Sequence, residues 1–158
     1  MAAALHGLGH LLLELQAGAG EATGQDLALF VHEETLLPVL MPLAPASSLA
    51  ERFPAHCAAV LNALNVDASF IAAQVAAMRE VEYAKTGNRS VLGIMNQFSY
   101  LAEGYREYLE TSDLLELSLK LAHVPCSPLY KRETFPDREL RRWILNYRAN
   151  SVEEASKP

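Results

Sequence analysis

Cysteine is scarce in this chain, with only Cys57 and Cys126 among 158 residues. A small secreted domain that depends on disulfides usually carries several more. We therefore interpret both side chains as reduced thiols, which favours a cytoplasmic location. A chain of this length forms about one domain and buries a sizeable core without disulfide or metal support.

Long apolar stretches are also absent. No run approaches the roughly 20 apolar residues that a helix needs to cross a bilayer. The first residues are rich in Leu and Ala, but they lack the positively charged start of a signal peptide, and His10 and Glu14 interrupt them. The sequence predicts a cytoplasmic protein with no membrane segment.

Positive charge is in deficit, with 13 Lys and Arg against 19 Asp and Glu and a net charge of −6. This balance argues against broad, non-specific nucleic-acid binding, since such binding needs basic residues to neutralise phosphates. The exception is the basic section 131–148, with Arg138, Arg141 and Arg142 on a predicted helix. These arginines could touch nucleic acid or an acidic protein, although a solvated helix face is the commoner explanation.

Metal and nucleotide motifs are missing as well. No segment has the Gly-x-x-x-x-Gly-Lys pattern of a phosphate-binding loop, and no cysteine cluster is present. His6, His10 and Glu14 are spaced four residues apart, and two His at that spacing on a helix can share a metal. The same spacing describes the solvated face opposite the leucines, so we predict no metal and no cofactor.

The hydrophobic periodicity predicts an α+β fold. Residues 5–16 have the leucine spacing of an amphipathic helix, and residues 17–26 have the composition of a loop. The apolar runs Leu27–Val31 and Leu36–Leu43 predict a β-hairpin. Pro38 and Pro42 place the second strand at a sheet edge or in a bulge, since proline cannot donate to a ladder.

A third strand is predicted over Val81–Lys85, and about five helices cover the sheet. The predicted helices include a turn that begins at Ser48, a main helix to Leu64 with Pro54 in its first turn, and helices that begin at Asp67, at Asn88 or Ser90, at Asp113 and at Asp137. We expect the hairpin and the helix from Asn88 to Glu110 to form the main core. Residues 1–150 form a single globular domain, and residues 151–158 form a polar tail.

The segment 86–96 carries the predicted ligand site, with Thr86, Asn88, Arg89, Ser90 and Asn96 as its candidate residues. Free N–H groups and the positive end of the helix dipole meet at a helix N-terminus. A positive residue is disfavoured there, so its presence is explained if an anion or a carboxylate lies nearby. The alternative is ordinary helix capping, with the arginine paired to an acidic residue elsewhere in the fold.

This segment and the section Asp113–Tyr130 resemble an uncharacterised bacterial family, DUF6933. The matching residues are Asn88, Arg89, Ser90, Val91, Gly93, Met95 and Asn96, followed downstream by Asp113, Leu117, Ser118, Leu121, Pro125, Ser127, Leu129 and Tyr130. The resemblance is clear over residues 81–130 and departs at the N-terminus. It implies a fold and a bacterial source but no reaction.

One further pair could carry chemistry. His123 precedes Cys126 by three residues, and a Cys–His pair can generate a nucleophilic thiolate. The alternative is a rigid proline-rich loop that packs a small apolar cysteine. Two hypotheses therefore stand: a non-catalytic binding or regulatory protein that recognises a protein or a small anionic ligand near Arg89, and a small cysteine-dependent enzyme.

Overall fold

The fold was determined as a computed structural model that describes residues 2–5, 9–16, 26–78, 81–84 and 88–155, with side chains over 26–78 and 88–150. The strands are β1 (Ala2–Leu5), β2 (Gly9–Gln16), β3 (Leu27–His32), β4 (Pro38–Pro42) and β5 (Val81–Ala84). The helices are α1 (Leu49–Ala63), α2 (Ala68–Ala77), α3 (Arg89–Leu109), α4 (Leu114–Ala122) and α5 (Pro136–Ala155). The predicted α+β class is confirmed.

The sheet has five strands within the described residues, in the order β4-β3-β2-β1-β5, and every neighbouring pair is antiparallel. The predicted hairpin forms β3 and β4, and the predicted third strand forms β5. The strand β4 lies at an edge, as the two prolines predict. The sheet is therefore larger than the two or three strands expected from the sequence.

The predicted helix over residues 5–16 is wrong, because this segment contributes β1 and β2. Strand β2 pairs with β3 over six residues, from Leu11 opposite His32 to Gln16 opposite Leu27. A short leucine run fits either a helix or a buried strand, and periodicity cannot separate the two. Glycine at positions 7 and 9 weakens the helix, while the free edge of β3 offers a full ladder of hydrogen bonds.

Helices cover both faces of the hairpin. Ala28 and Phe30 of β3 pack into one core with α1, α2 and α5, whereas Leu29 and Val31 pack into a second core with α3 and α4. This alternation follows from the two-residue period of a strand. The predicted core between the hairpin and α3 is confirmed, and a second core lies on the opposite face.

The outer edge of β4 is covered by α4. The backbone N–H of Leu40 donates to Ser118 Oγ at 2.9 Å, and this hydroxyl donates to the carbonyl of Leu114 at 2.7 Å. An unpaired strand edge invites pairing with other chains, so a side chain that satisfies it removes that hazard. Ser118 therefore gives the N–H of Leu40 an acceptor at the edge of β4.

Three predicted N-caps are confirmed. The side chains of Asp67, Asn88 and Asp113 accept backbone N–H groups at the starts of α2, α3 and α4. The other two predicted starts shift. The helix α1 begins at Leu49, so Pro54 lies inside it and not in its first turn, and α5 begins at Pro136, so Asp137 lies within the helix.

Candidate functional site

Asn88 is fully engaged in holding the start of α3. Its Oδ1 accepts the N–H of Val91 at 3.3 Å, and its Nδ2 donates to Glu33 Oε1 at 2.8 Å. Glu33 lies in the turn between β3 and β4, so the bond ties α3 to the hairpin across 55 residues of sequence. This residue of the predicted site therefore acts as a cap and an anchor.

The next two residues present a different picture. Arg89 and Ser90 are exposed, and their side chains have no hydrogen bond or ion pair within residues 26–78 and 88–150. Their backbone N–H groups are among the first four of the helix, which have no intrahelical acceptor. Among the described residues, therefore, no group occupies the guanidinium, the hydroxyl or the two N–H groups at this end of α3.

Asn96 joins Arg89 on one face of the helix. The two residues are seven positions apart, or about two turns, and both are exposed. Gly93 lies between them on the same face, and a Cβ atom added there would have no heavy atom within 4 Å. The backbone between Arg89 and Asn96 is therefore uncovered. The last candidate, Thr86, lies outside the described residues, as do the side chains of the preceding strand β5, among them the acidic Glu82.

The exposed face continues along α3 beyond the predicted site. Tyr100 is 77% exposed and lies one turn after Asn96. Gly104 follows, also with open space around its missing Cβ, flanked by the exposed carboxylates of Glu103 and Glu107. We call the set Arg89, Gly93, Asn96, Tyr100, Glu103, Gly104 and Glu107 the outer face of α3. No motif in the sequence marks the second half of this face, which follows only from the burial of the opposite stripe of the helix.

The buried positions of the same segment belong to the core. Val91, Met95 and Phe98 pack against β3 and α4, and they hold α3 with its outer face towards solvent. The motif that predicts the site therefore divides into residues that fix the helix and residues that the helix displays.

The structure does not assemble Cys126 and His123 into a catalytic pair. Cys126 is completely buried, its Sγ donates to the carbonyl of Val124 at 3.4 Å, and burial raises the pKa of this thiol to about 12. His123 is largely exposed. Its Nδ1 lies 2.7 Å from the carbonyl of Leu119, and its Nε2 lies 3.5 Å from Asp137 Oδ2. A protonated thiol without a nearby base is a poor nucleophile.

The basic patch predicted on α5 is only partly free. Arg142 donates to Glu139 Oε1 at 2.7 Å, and Arg138 stacks over the ring of Phe135 at 4.7 Å. Arg141 is exposed with no partner within the part of the chain whose side chains are described. Of the three arginines, only Arg142 is ion-paired among the described residues, while Arg138 and Arg141 stay exposed.

The helical spacing of His6, His10 and Glu14, which could have brought two histidines to one metal, is not present in the structure. His10 and Glu14 lie on β2, and the side chains of His6, His10 and Glu14 are outside the described set. Within that set, no group of three His, Cys, Asp or Glu residues is arranged to hold a metal ion. No helix among the described residues is both long and apolar enough to cross a membrane.

A polar hub around the hairpin turn escaped sequence analysis. Glu34 accepts the indole N–H of Trp143 at 2.8 Å, and its carbonyl accepts Arg132 at 3.0 Å. Arg132 also pairs with the buried Glu139 at 3.0 Å. The two contacts of Glu34 join residues 98 and 109 positions apart, and in the sequence they are marked only by the polar run between the two strands.

Residues 17–139 match the model of the family described as a domain of unknown function, DUF6933. The chain belongs to this family. The match confirms the resemblance seen in the sequence and extends it well beyond residues 81–130, through the hairpin and α1 to the start of α5. No curated protein and no solved structure matches the chain. Membership in DUF6933 thus assigns a family without assigning an activity.

Proposed function

We propose that this DUF6933 protein is a non-catalytic binding protein, and that it recognises an anionic group of its ligand at Arg89. The observation that carries the proposal is the contrast between bonded and unbonded side chains at the start of α3. Asn88 is fixed by two hydrogen bonds, while Arg89, Ser90 and Asn96 are exposed and lack partners among the described residues. A fixed helix end that displays an unpaired cation is suited to binding a carboxylate or a phosphate.

The positive charge has an energetic cost in the free protein. A cation at a helix N-terminus opposes the macrodipole, typically by about 0.3–1 kcal/mol at an exposed position. Nothing within the described residues offsets this cost, because Arg89 forms no ion pair there. An anion that contacts both the guanidinium and the free N–H groups would reverse the unfavourable term, so the site gains stability on binding.

The bacterial source and the cytoplasmic location belong to this proposal too. Two buried, unpaired cysteines support a reducing compartment. The cysteine-dependent enzyme is set aside, because the thiol is buried and the histidine is held elsewhere.

The test is an amide NMR titration with inorganic phosphate and with acetate at a protein concentration in the low micromolar range. We expect saturable shifts of the amides of Arg89 and Ser90 in the wild type, and no saturable shift in Arg89→Ala. The matched control is Arg141→Ala, which removes an exposed and unpaired arginine from α5 and should leave the shifts unchanged. Absence of saturable shifts, or equal shifts in Arg89→Ala, would overturn the anion site.

A further inference from the structure

The outer face of α3 carries opposite charges at its two ends. Arg89 is in the first turn, and Glu103 and Glu107 are near the last turn, all exposed and on one face. Each end has the sign that the helix dipole disfavours, so the charges and the dipole add to one strongly polarised surface. Two such surfaces attract when they are placed antiparallel, since each positive end then meets a negative end.

The two glycines of this face have no packing role among the described residues. A glycine inside a helix costs roughly 0.5–1 kcal/mol relative to alanine. At Gly93 and at Gly104 the structure has open space where a Cβ would lie, and neither position requires glycine for its own packing. Small residues do have a use when a second helix approaches, because the distance between helix axes depends on the side chains at the contact.

The positions of these residues are symmetric along the helix. Arg89 and Gly104 are equally far from the point between Asn96 and Gln97, and so are Gly93 and Tyr100. In an antiparallel pair centred on that point, each Tyr100 lies over Gly93 of the second copy. Each Arg89 lies over Gly104 of the second copy, between Glu103 and Glu107. The long side chains of Arg89 and Tyr100 therefore lie over the two glycines of the second copy, where no side chain is in the way.

We propose that the outer face of α3 binds a second copy of this chain, as an antiparallel helix pair about a two-fold axis. A two-fold interface uses one patch twice, and this patch is self-complementary in charge and in shape. The inference rests on the proposed function, because the carboxylates of the second copy are the anions that Arg89 binds. The contact extends over about 22 Å of helix and is smaller than a standard interface, so the dimer is weak.

The test is sedimentation velocity over a protein concentration series up to about 1 mM, the range in which weak interfaces associate. The wild type should show a monomer–dimer equilibrium that weakens as salt is added, because exposed ion pairs are screened. The first variant is Arg89→Glu, and the second combines Glu103→Arg with Glu107→Arg. Each variant alone places like charges opposite each other. Its self-association should therefore be at least roughly tenfold weaker than that of the wild type.

A mixture of the two variants restores attraction at both ends, so it should form a heterodimer with an affinity within about threefold of the wild type. The matched controls are Arg141→Glu and Tyr130→Ala, which change an exposed arginine and an exposed tyrosine away from α3. They should leave association unchanged. Gly104→Gln should weaken association, while its monomer should be at least as stable as the wild type.

The results separate this inference from the function on which it rests. A wild type that stays monomeric, or a mixture that does not associate, overturns the dimer. If the phosphate and acetate titrations still map to Arg89, only the dimer fails, and the anion site stands. If neither association nor anion binding is found, both proposals fail.

Discussion

The two longest helices of the molecule, α3 and α5, both carry arginines on their outer sides but use them differently. On α5, Arg142 is paired with Glu139, Arg148 lies 3.6 Å from Asp67, and Trp143 donates to Glu34. On α3, the charged and aromatic residues of the outer face have no hydrogen bond or ion pair with any residue whose side chain is described. Arg142, Arg148 and Trp143 of α5 thus have partners within the fold, whereas the outer face of α3 has none among the described side chains.

This contrast shows why a charge pattern alone does not identify a binding surface. From the sequence, α5 has the denser cluster of arginines, which could contact nucleic acid or an acidic protein as well as solvent. In the structure, its cations are largely satisfied by Glu139, Asp67 and the ring of Phe135. An exposed charge that the fold already pairs is therefore weaker evidence for recognition than one that lies beside other unpaired groups, as Arg89 does at the start of α3.

The largest expected effect is a loss of stability when the ion pairs of α5 are removed. Glu139 is 2% exposed, and its Oε1 accepts from Arg132 and Arg142. Glu139→Ala should lower the free energy of unfolding by about 3 kcal/mol, because it leaves two partly buried cations without their counter-charge. Chemical denaturation measures the change. Arg141→Ala is the control and should stay within about 0.5 kcal/mol of the wild type; a similar loss in both variants would contradict the account.

The second effect concerns the connection between β4 and α1. The guanidinium of Arg52 donates to the carbonyls of Pro42, Leu43 and Pro45 at 3.0–3.2 Å and to Ser48 Oγ at 3.1 Å. Arg52→Ala should destabilise the protein by about 2 kcal/mol, because several charge-assisted hydrogen bonds are lost together. Arg52→Lys should recover only part of the loss, since a single ammonium cannot reach this set of acceptors. A change below about 0.5 kcal/mol in Arg52→Ala would show that the loop does not need the clamp.

The third prediction concerns the two exposed glycines of α3 and their effect on stability. Gly93→Ala and Gly104→Ala should each stabilise the monomer by about 0.5–1 kcal/mol, because the new methyl group meets no atom and the helix gains rigidity. Thermal unfolding at low protein concentration measures the gain. A loss of stability in either variant would mean that a neighbour within the chain needs the glycine, and the case for an external partner would lose its support.

The smallest effect is a pH dependence at His56. Burial, followed by the nearby charge of Arg52, lowers the pKa of His56 below its ordinary value of 6.5. The unfolded chain then binds more protons than the native one between the lowered pKa and 6.5, so the stability rises with pH across that window. His56→Gln should flatten this part of the pH–stability curve. An unchanged slope in the variant would assign the dependence to another group.

Local features of the fold were predictable from the sequence. Asp67, Asn88 and Asp113 cap helices as expected, because a cap depends on only three or four neighbouring residues. The edge position of β4 followed from Pro38 and Pro42, since proline has no N–H to donate. Predictions that depend on one residue and its immediate neighbours were therefore confirmed by the structure.

Features that depend on distant partners were not predictable. The leucine run of β2 took the strand conformation because β3 offered it a partner. The bonds from Asn88 to Glu33 and from Trp143 to Glu34 join positions 55 and 109 residues apart. The sequence indicated Asn88 and Arg89 as one site, and only the long-range contact of Asn88 separates the anchor from the displayed cation.

The most direct test of the central claim is a set of amide NMR spectra recorded between about 10 μM and 1 mM protein, a range that spans weak association. The account predicts concentration-dependent shifts that cluster on the outer face of α3, from Arg89 to Glu107, while the outer side of α5 stays unchanged. Shifts centred on α5, or spectra that do not depend on concentration at all, would contradict it.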